Sequence, residues 1–411
     1  MVSVCAINVL AELGTATWTT PQAIAYETAQ EGVRQVIGFF AELLAEEEAS
    51  AEPEPAAVTG WRAEQQAWAA RGQALAPLDT LAIDTICRAA DDLLGMTLED
   101  DGDSDSAALA NWFDLGEAEN ERIFRDRIVA DQLAGTAQDR PVVLFVGGQP
   151  GDGKATITAL ATAALRRRGG PVVLSSAAYE PYHPRFHEPI TDVPATAGVY
   201  VEADGLRWLA RAEEWVIEQR CDAIFETDLN DPEGFARSAR RFKAAGFQVE
   251  VAMLAMHEGL SRLGVLERHL RALESFGHGR RLEQARHDAG YAGVLRAAGL
   301  IDDGAWADRV AVLRPDGQLI YGNQRDAAGD WQQPARTIDA IGWERDRPWT
   351  VAESRYFLET VSRVGRIGVG APAQWIRDES LQGAKAVAAL ARPRLHPDAV
   401  TLYVATAGTK G

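Results

Sequence analysis

The residues with the clearest chemical potential lie in one run, Gly147-Gly148-Gln149-Pro150-Gly151-Asp152-Gly153-Lys154-Ala155-Thr156. Gly148, Gly153 and Lys154 hold the G-x-x-x-x-G-K spacing. That spacing turns backbone N–H groups and a helix N-terminus toward a phosphate and brings an ammonium to its outer oxygens. The chemistry is that of holding a nucleotide such as ATP, with Gly148, Gly151, Gly153, Lys154, Ala155 and Thr156 as contact residues. Two positions disturb it. Ala155 stands where a hydroxyl would ligand Mg²⁺, and Thr156 lies about 100° further round the helix, so no protein ligand for a metal is expected. Asp152 places a carboxylate in an anion cradle, where it repels phosphates unless it points outward. A glycine turn that binds nothing is the alternative reading.

A loop of this kind needs a buried strand before it and a helix after it. Val142 to Val146 supplies the first and ITALATAALRRR, beginning at Ile157, the second. Further strand-length apolar runs at Val172–Leu174, Ala223–Phe225, Val249–Leu254 and Val310–Leu313 alternate with helical segments, the pattern of an α/β fold with a mostly parallel sheet and flanking helices. Residues 1–96 read as a small all-α three-helix bundle. Thr20-Pro21 marks the first helix, and Val33, Val36, Ile37, Phe40 and Leu44 recur at helical spacing along it. The second helix carries Trp61 and Trp68, and the third Leu81, Ile86 and Leu93. Residues 97–106, which contain EDDGDSDS, read as an acidic linker, residues 107–345 as the α/β domain, and residues 346–411 as an extension with one helix, a Pro-rich stretch and the β-prone VTLYVA.

Composition narrows the function classes. The 411 residues exceed what one core usually serves. A net charge of −19 argues against a surface that neutralises a nucleic-acid backbone. Three widely spaced cysteines form no disulfide or metal pattern, and no run of about 18 apolar residues suggests a membrane span. A cytoplasmic protein with neither nucleic-acid nor membrane partners is expected.

Several ordered motifs together resemble the zeta toxins: GGQPGDGK, then YEPYHP at Tyr179–Pro184, FETDLNDP at Phe225–Pro232 and LGVLERHL at Leu263–Leu270. The resemblance covers about residues 111–343 and implies a P-loop kinase that phosphorylates UDP-N-acetylglucosamine on its 3′-hydroxyl. Carried over by position, it implies that Lys154 serves the phosphates, Glu226 faces substrate, and Arg268 and Arg280 contact ATP. The base of the family falls at Ala177 and an arginine falls at Asn230, while Asp228 stands where threonine is usual. Loss of a general base costs a factor of about 10² to 10⁴ in rate, so the resemblance implies a kinase that is impaired or inactive. The alternatives are an active small-molecule kinase with compensating groups, for which Glu180 and His183 lie near Ala177, and a non-catalytic nucleotide- or partner-binding protein. Zeta toxins are restrained by a three-helix antitoxin, so the bundle is expected to act as a cis inhibitor.

Overall fold

A computed structural model describes residues 7–95, 115–187, 197–276, 282, 284–371 and 374–399. The elements follow in chain order. Helix α1 is Val9–Glu12, α2 Thr20–Ala49, α3 Pro55–Ala74, α4 Thr80–Gly95 and α5 Glu117–Ile123, which runs through a π turn, Phe124–Ile128, into α6, Val129–Gln132. Then come β1 Val142–Gly147, α7 Lys154–Leu165, β2 Val172–Leu174, α8 Ser176–Tyr179, α9 Ala197–Gln219 and β3 Ala223–Thr227. The chain continues with α10 Pro232–Ala244, β4 Gln248–Leu254, α11 Glu258–Phe276, α12 Gln284–Asp303, β5 Arg309–Leu313 and β6 Leu319–Gln324. Helices α13 Thr337–Asp346, α14 Val351–Gly370 and α15 Gln374–Ala391 complete it.

The expected α/β fold is present as a six-stranded sheet of order β2-β3-β1-β4-β5-β6. Strand β1 runs parallel to β4, β2 to β3 and β4 to β5. The five strands read from sequence are apolar and largely buried. Sequence reading missed β6, which pairs antiparallel with β5 at an edge of the sheet. Its polar, partly exposed LIYGNQ lacks the continuous apolar run of a strand covered on both faces.

The chain divides into two compact units. One comprises residues 1–17, 142–164 and 226–411. Within it α11, α14 and α15 bury Leu263, Leu270, Phe357, Val364 and Val387 against one another, so the segment after Pro348 contributes two helices where one was expected. Thr350 and Glu353 form a capping box that starts α14. The VTLYVA segment, the acidic stretch 97–106 and Arg280 lie outside the described residues.

The other unit comprises residues 18–141 and 165–225. The three expected bundle helices are α2, α3 and α4, with Val36, Ile37, Leu44, Trp68, Ile83 and Ile86 buried between them. Leu81, expected on the inner face, is instead 74% exposed, in the first turn of α4. The bundle does not close on itself. Arg62 of α3 makes a bidentate pair with the fully buried carboxylate of Asp131, at 2.7 Å on both arms, and Tyr182 donates to the same carboxylate at 3.1 Å. Phe186 packs so closely on Gly38 of α2 that a Cβ there would lie 2.3 Å from its ring. Among the described residues no helix is long and apolar enough to cross a membrane.

Candidate functional site

Strand β1 is buried along its whole length and delivers the chain into the glycine loop, where Gly148 N–H donates to the Thr227 carbonyl at 3.2 Å. Gly151 and Gly153 adopt φ of 80° and 88°, the left-handed region where a side chain is strained. At Gly151 a Cβ would also fall 2.2 Å from the Ser261 carbonyl. Helix α7 starts at Lys154, so the strand, loop and helix needed to cradle a phosphate are in place.

The carboxylate of Asp152 sits inside that loop. It has no solvent exposure, and its Oδ2 lies 1.7 Å from where a Cβ on Gly148 would be, so only glycine is tolerated at 148 with the carboxylate in this pose. Oδ1 accepts from the first amide of α7, that of Lys154, at 3.3 Å, and from the Lys154 ammonium at 3.2 Å. Oδ2 has no hydrogen-bond partner. Burial pushes the Asp152 carboxyl up to about 6, against the opposing pull of Lys154.

Lys154 is fully engaged by its own loop and by the segment after β3. Its ammonium donates to the carbonyls of Gly148 and Gln149, both at 3.0 Å, and pairs with Asp228 at 2.9 Å. Burial works against the ammonium, but Asp152 and Asp228 outweigh it and raise its pKa. Burial likewise opposes ionisation of Asp228, yet Lys154, followed by Arg286 and Arg268, holds that carboxyl below the usual range. The position where the family resemblance places threonine thus carries a carboxylate clamped on the lysine.

The other residues singled out from sequence fall as follows. Glu226, at the end of β3, accepts from Thr158 Oγ1 at 2.5 Å, which couples it to α7. Ala155 is half-buried and brings no donor or acceptor side chain, while Thr156 is buried with its N–H on the Gly153 carbonyl. Asn230 Oδ1 is buried without a hydrogen-bond partner and lies close to Gly290 of α12. Arg268 is exposed on α11.

In the other unit Ala177 is exposed on α8. Glu180 is 2% exposed and its Cγ abuts Gly205 of α9. His183 is fully buried; its Nδ1 accepts the Arg185 N–H at 3.1 Å and its Nε2 faces Asp204 at 3.3 Å. Nδ1 is therefore an acceptor, and the ring proton sits on Nε2 toward a carboxylate. This is the geometry of a loop-ordering histidine.

Two contributors were not singled out from sequence. Arg286 of α12 comes within 4.0 Å of Asp228. The buried Arg345 donates to Gln149 Oε1 at 3.0 Å and lies 3.7 Å over the Tyr291 ring, while Gln149 Nε2 donates to the Met256 carbonyl at 2.9 Å. A polar Gln149 inside the loop was a signal that a partner exists. Nothing local pointed to an arginine so far along the chain.

Residues 125–326 match the family model described as Zeta toxin. A solved structure from the PezAT chromosomal toxin-antitoxin system of Streptococcus pneumoniae superposes with a TM-score of 0.51 at 16% identity, over 62% of this chain and 98% of that one; the likeness is one of fold. A structure of AvrRxo1-ORF1:-ORF2 with ATP superposes at a TM-score of 0.37 and 13% identity, over 60% of this chain and 76% of that one, too distant to carry an argument. Among curated proteins none matches.

Proposed function

Because residues 125–326 form a zeta-toxin family domain, we propose that this chain is a zeta-toxin-like phosphotransferase scaffold that has lost most or all kinase activity, with its N-terminal bundle acting in cis. The observation that carries this reading is the Asp152 carboxylate, buried in the loop and paired with Lys154. A phosphoryl-transfer site works by placing cations and a metal on the transferring oxygens. Here the cation is held by two carboxylates and two carbonyls, and Ala155 offers nothing to Mg²⁺. The residues present do not fit a magnesium-bound polyphosphate.

The acceptor side supports the same reading. Ala177 has no proton-accepting group, and the nearby Glu180 and His183 face α9 and Asp204 within their own unit. Meanwhile α2 covers the segment that follows them: Glu42 accepts the His187 N–H at 2.6 Å, and Phe186 rests on Gly38. These contacts suit an intramolecular clamp, whose tethering would keep its effective concentration around the millimolar range.

A second reading, an active kinase for UDP-N-acetylglucosamine or another small hydroxyl compound, is favoured by the retained Lys154 and by Glu226 held on α7 through Thr158. Calorimetric titration with ATP and with UDP-N-acetylglucosamine, each with and without Mg²⁺, separates the two. The expected result is weak ATP binding that does not depend on Mg²⁺. Micromolar ATP affinity that collapses on adding a chelator would establish the second reading in place of the first.

A further inference from the structure

We propose that Glu258, His287 and Asp288 form a binding site for a zinc-class divalent cation, whose ligands are distinct from the residues of the phosphate loop. Glu258 is the first residue of α11, and His287 and Asp288 lie in the first turns of α12. One ligand atom from each falls within 4.8 Å of the other two. Two carboxylates alone would say little, because acidic groups gather at helix starts for other reasons.

The imidazole supplies the independent observation. Ser261 Oγ donates to the Glu258 carbonyl at 3.1 Å, so its lone pair faces His287 Nε2, 2.9 Å away. The tautomer that this contact favours has the ring proton on Nε2, which leaves Nδ1 with its lone pair. His287 is 3% exposed, and Nδ1 has no hydrogen-bond partner. Its neighbour Asp288 Oδ1, 3.5 Å away, is itself an acceptor. An imidazole whose outer nitrogen is fixed by a neighbouring group, with the other nitrogen aimed at carboxylates, is how metal-bound histidines are held.

Arg262 now supplies the positive charge. Its Nη2 lies 2.6 Å from Glu258 and 2.5 Å from Asp288, between the two carboxylates. The guanidinium makes no hydrogen bond to Nδ1, whereas a metal ion would take all three ligands at once. Tetrahedral zinc sets its ligands about 3.3 Å apart. The carboxylates of Asp288 and Glu258, 46% and 26% exposed, can close that gap by side-chain rotation alone. One nitrogen and two carboxylate ligands favour Zn²⁺ over Mg²⁺, which prefers an all-oxygen shell with several waters.

The test is titration of the full, chelator-stripped chain with Zn²⁺ by calorimetry, and with Co²⁺ by visible absorption. One equivalent should bind, with cobalt bands of a low-coordinate site, and excess Mg²⁺ should not displace it. Asp288→Asn, at a half-exposed position that should not disturb folding, should weaken Zn²⁺ by at least the roughly 10- to 100-fold that loss of a supporting partner costs. Arg262→Gln should tighten it, by removing a competing cation. Failure to bind at micromolar Zn²⁺, or affinity unchanged by Asp288→Asn as expected for binding at the cysteines, would overturn the site. Weaker binding by Arg262→Gln would assign the cluster to an ordinary ion pair between helices.

Discussion

Around Lys154 the polar groups are charged and turned on one another, whereas between Ser175 and His187 they hold backbone and core in place. In the loop the Lys154 ammonium is held by the carboxylates of Asp152 and Asp228, so charge is packed directly on charge. In the other segment Tyr179 donates to the Val173 carbonyl, Tyr182 to Asp131, and His183 joins Arg185 to Asp204. The first site has the strand, glycine loop and helix of a phosphate cradle with an opposing charge inside it. The second has the packing, with no proton-accepting group at Ala177. Removal of a charge can reopen the first, but the second needs a group put back.

That difference can be broken most forcefully by rebuilding both sides. Asp152→Ser, Ala155→Thr and Asn230→Arg together should admit nucleotide without turnover. Adding Ala177→Asp, at an exposed position that tolerates a carboxylate, should then raise ATP consumption with UDP-N-acetylglucosamine by a factor of about 10² to 10⁴, read in a coupled assay. Each change alone should do little, because groups acting in one transition state are not additive. Turnover by the three-change variant as fast as by the four-change variant would mean that a base already exists in the Ser175–His187 segment.

The next largest effect lies in the unit that holds the Ser175–His187 segment. Arg62→Ala strips the buried Asp131 of its bidentate partner and should cost about 3 kcal/mol in urea denaturation, the low end for breaking a buried pair. Arg62→Ala with Asp131→Asn should recover part of that loss, since no uncompensated charge then remains. A loss below about 1 kcal/mol would place Arg62 among ordinary surface pairs and would remove the reason to treat α3 as integral to its unit.

A pH series sharpens the contrast from the loop side. Burial raises Asp152 to about 6, so below that pH the carboxyl is neutral and neither repels a phosphate nor holds Lys154. If ATP binds only the neutral form, affinity falls about tenfold per pH unit above 6 and levels off below it. Asp152→Asn should hold the parent's low-pH affinity throughout and lose this dependence, leaving only the titration of the nucleotide itself. For stability the sign follows the raised pKa. The folded state holds the proton between about 4 and 6 while the unfolded chain has released it, so this group stabilises least above pH 6. Parallel ATP affinities for the parent and Asp152→Asn across pH 5 to 8 would show that Asp152 does not gate the loop.

The sequence made much of the fold legible because the strands are buried on both faces and announce themselves as apolar runs, as Val142–Val146 and Val249–Leu254 do. Strand β6 was hidden because edge strands need no such run. In the site, the spacing of Gly148, Gly153 and Lys154 identified the loop, and the charge on Asp152 raised the question of where it points. Only coordinates could answer it, since an outward rotamer leaves the same sequence. Gln149–Arg345 and the lone pair of His287 were invisible for a different reason. Each depends on residues brought together by helix packing, and on which ring nitrogen a serine happens to face.

The smallest effect probes the contact between α2 and the Ser175–His187 segment. Glu42 receives the His187 N–H at 2.6 Å and lies 3.2 Å from the ring Nδ1, a charge-assisted acceptor on a partly exposed helix face. Glu42→Ala leaves that amide without its carboxylate, which costs about 1 to 2 kcal/mol where water cannot take over. The side chain is 25% exposed, so partial hydration should bring the loss to the lower end. Glu42→Gln keeps an acceptor and should lose less than half as much. Hydrogen exchange at the His187 amide reads the contact directly, and should rise about tenfold for Glu42→Ala with little change at the Arg185 amide, which is held by His183 inside the segment. If both amides speed up together, α2 and the Ser175–His187 segment open as one cooperative body, and the bundle is part of the fold of that unit. If only His187 responds, the bundle rests on the segment through a few separable contacts, as a regulatory clamp must.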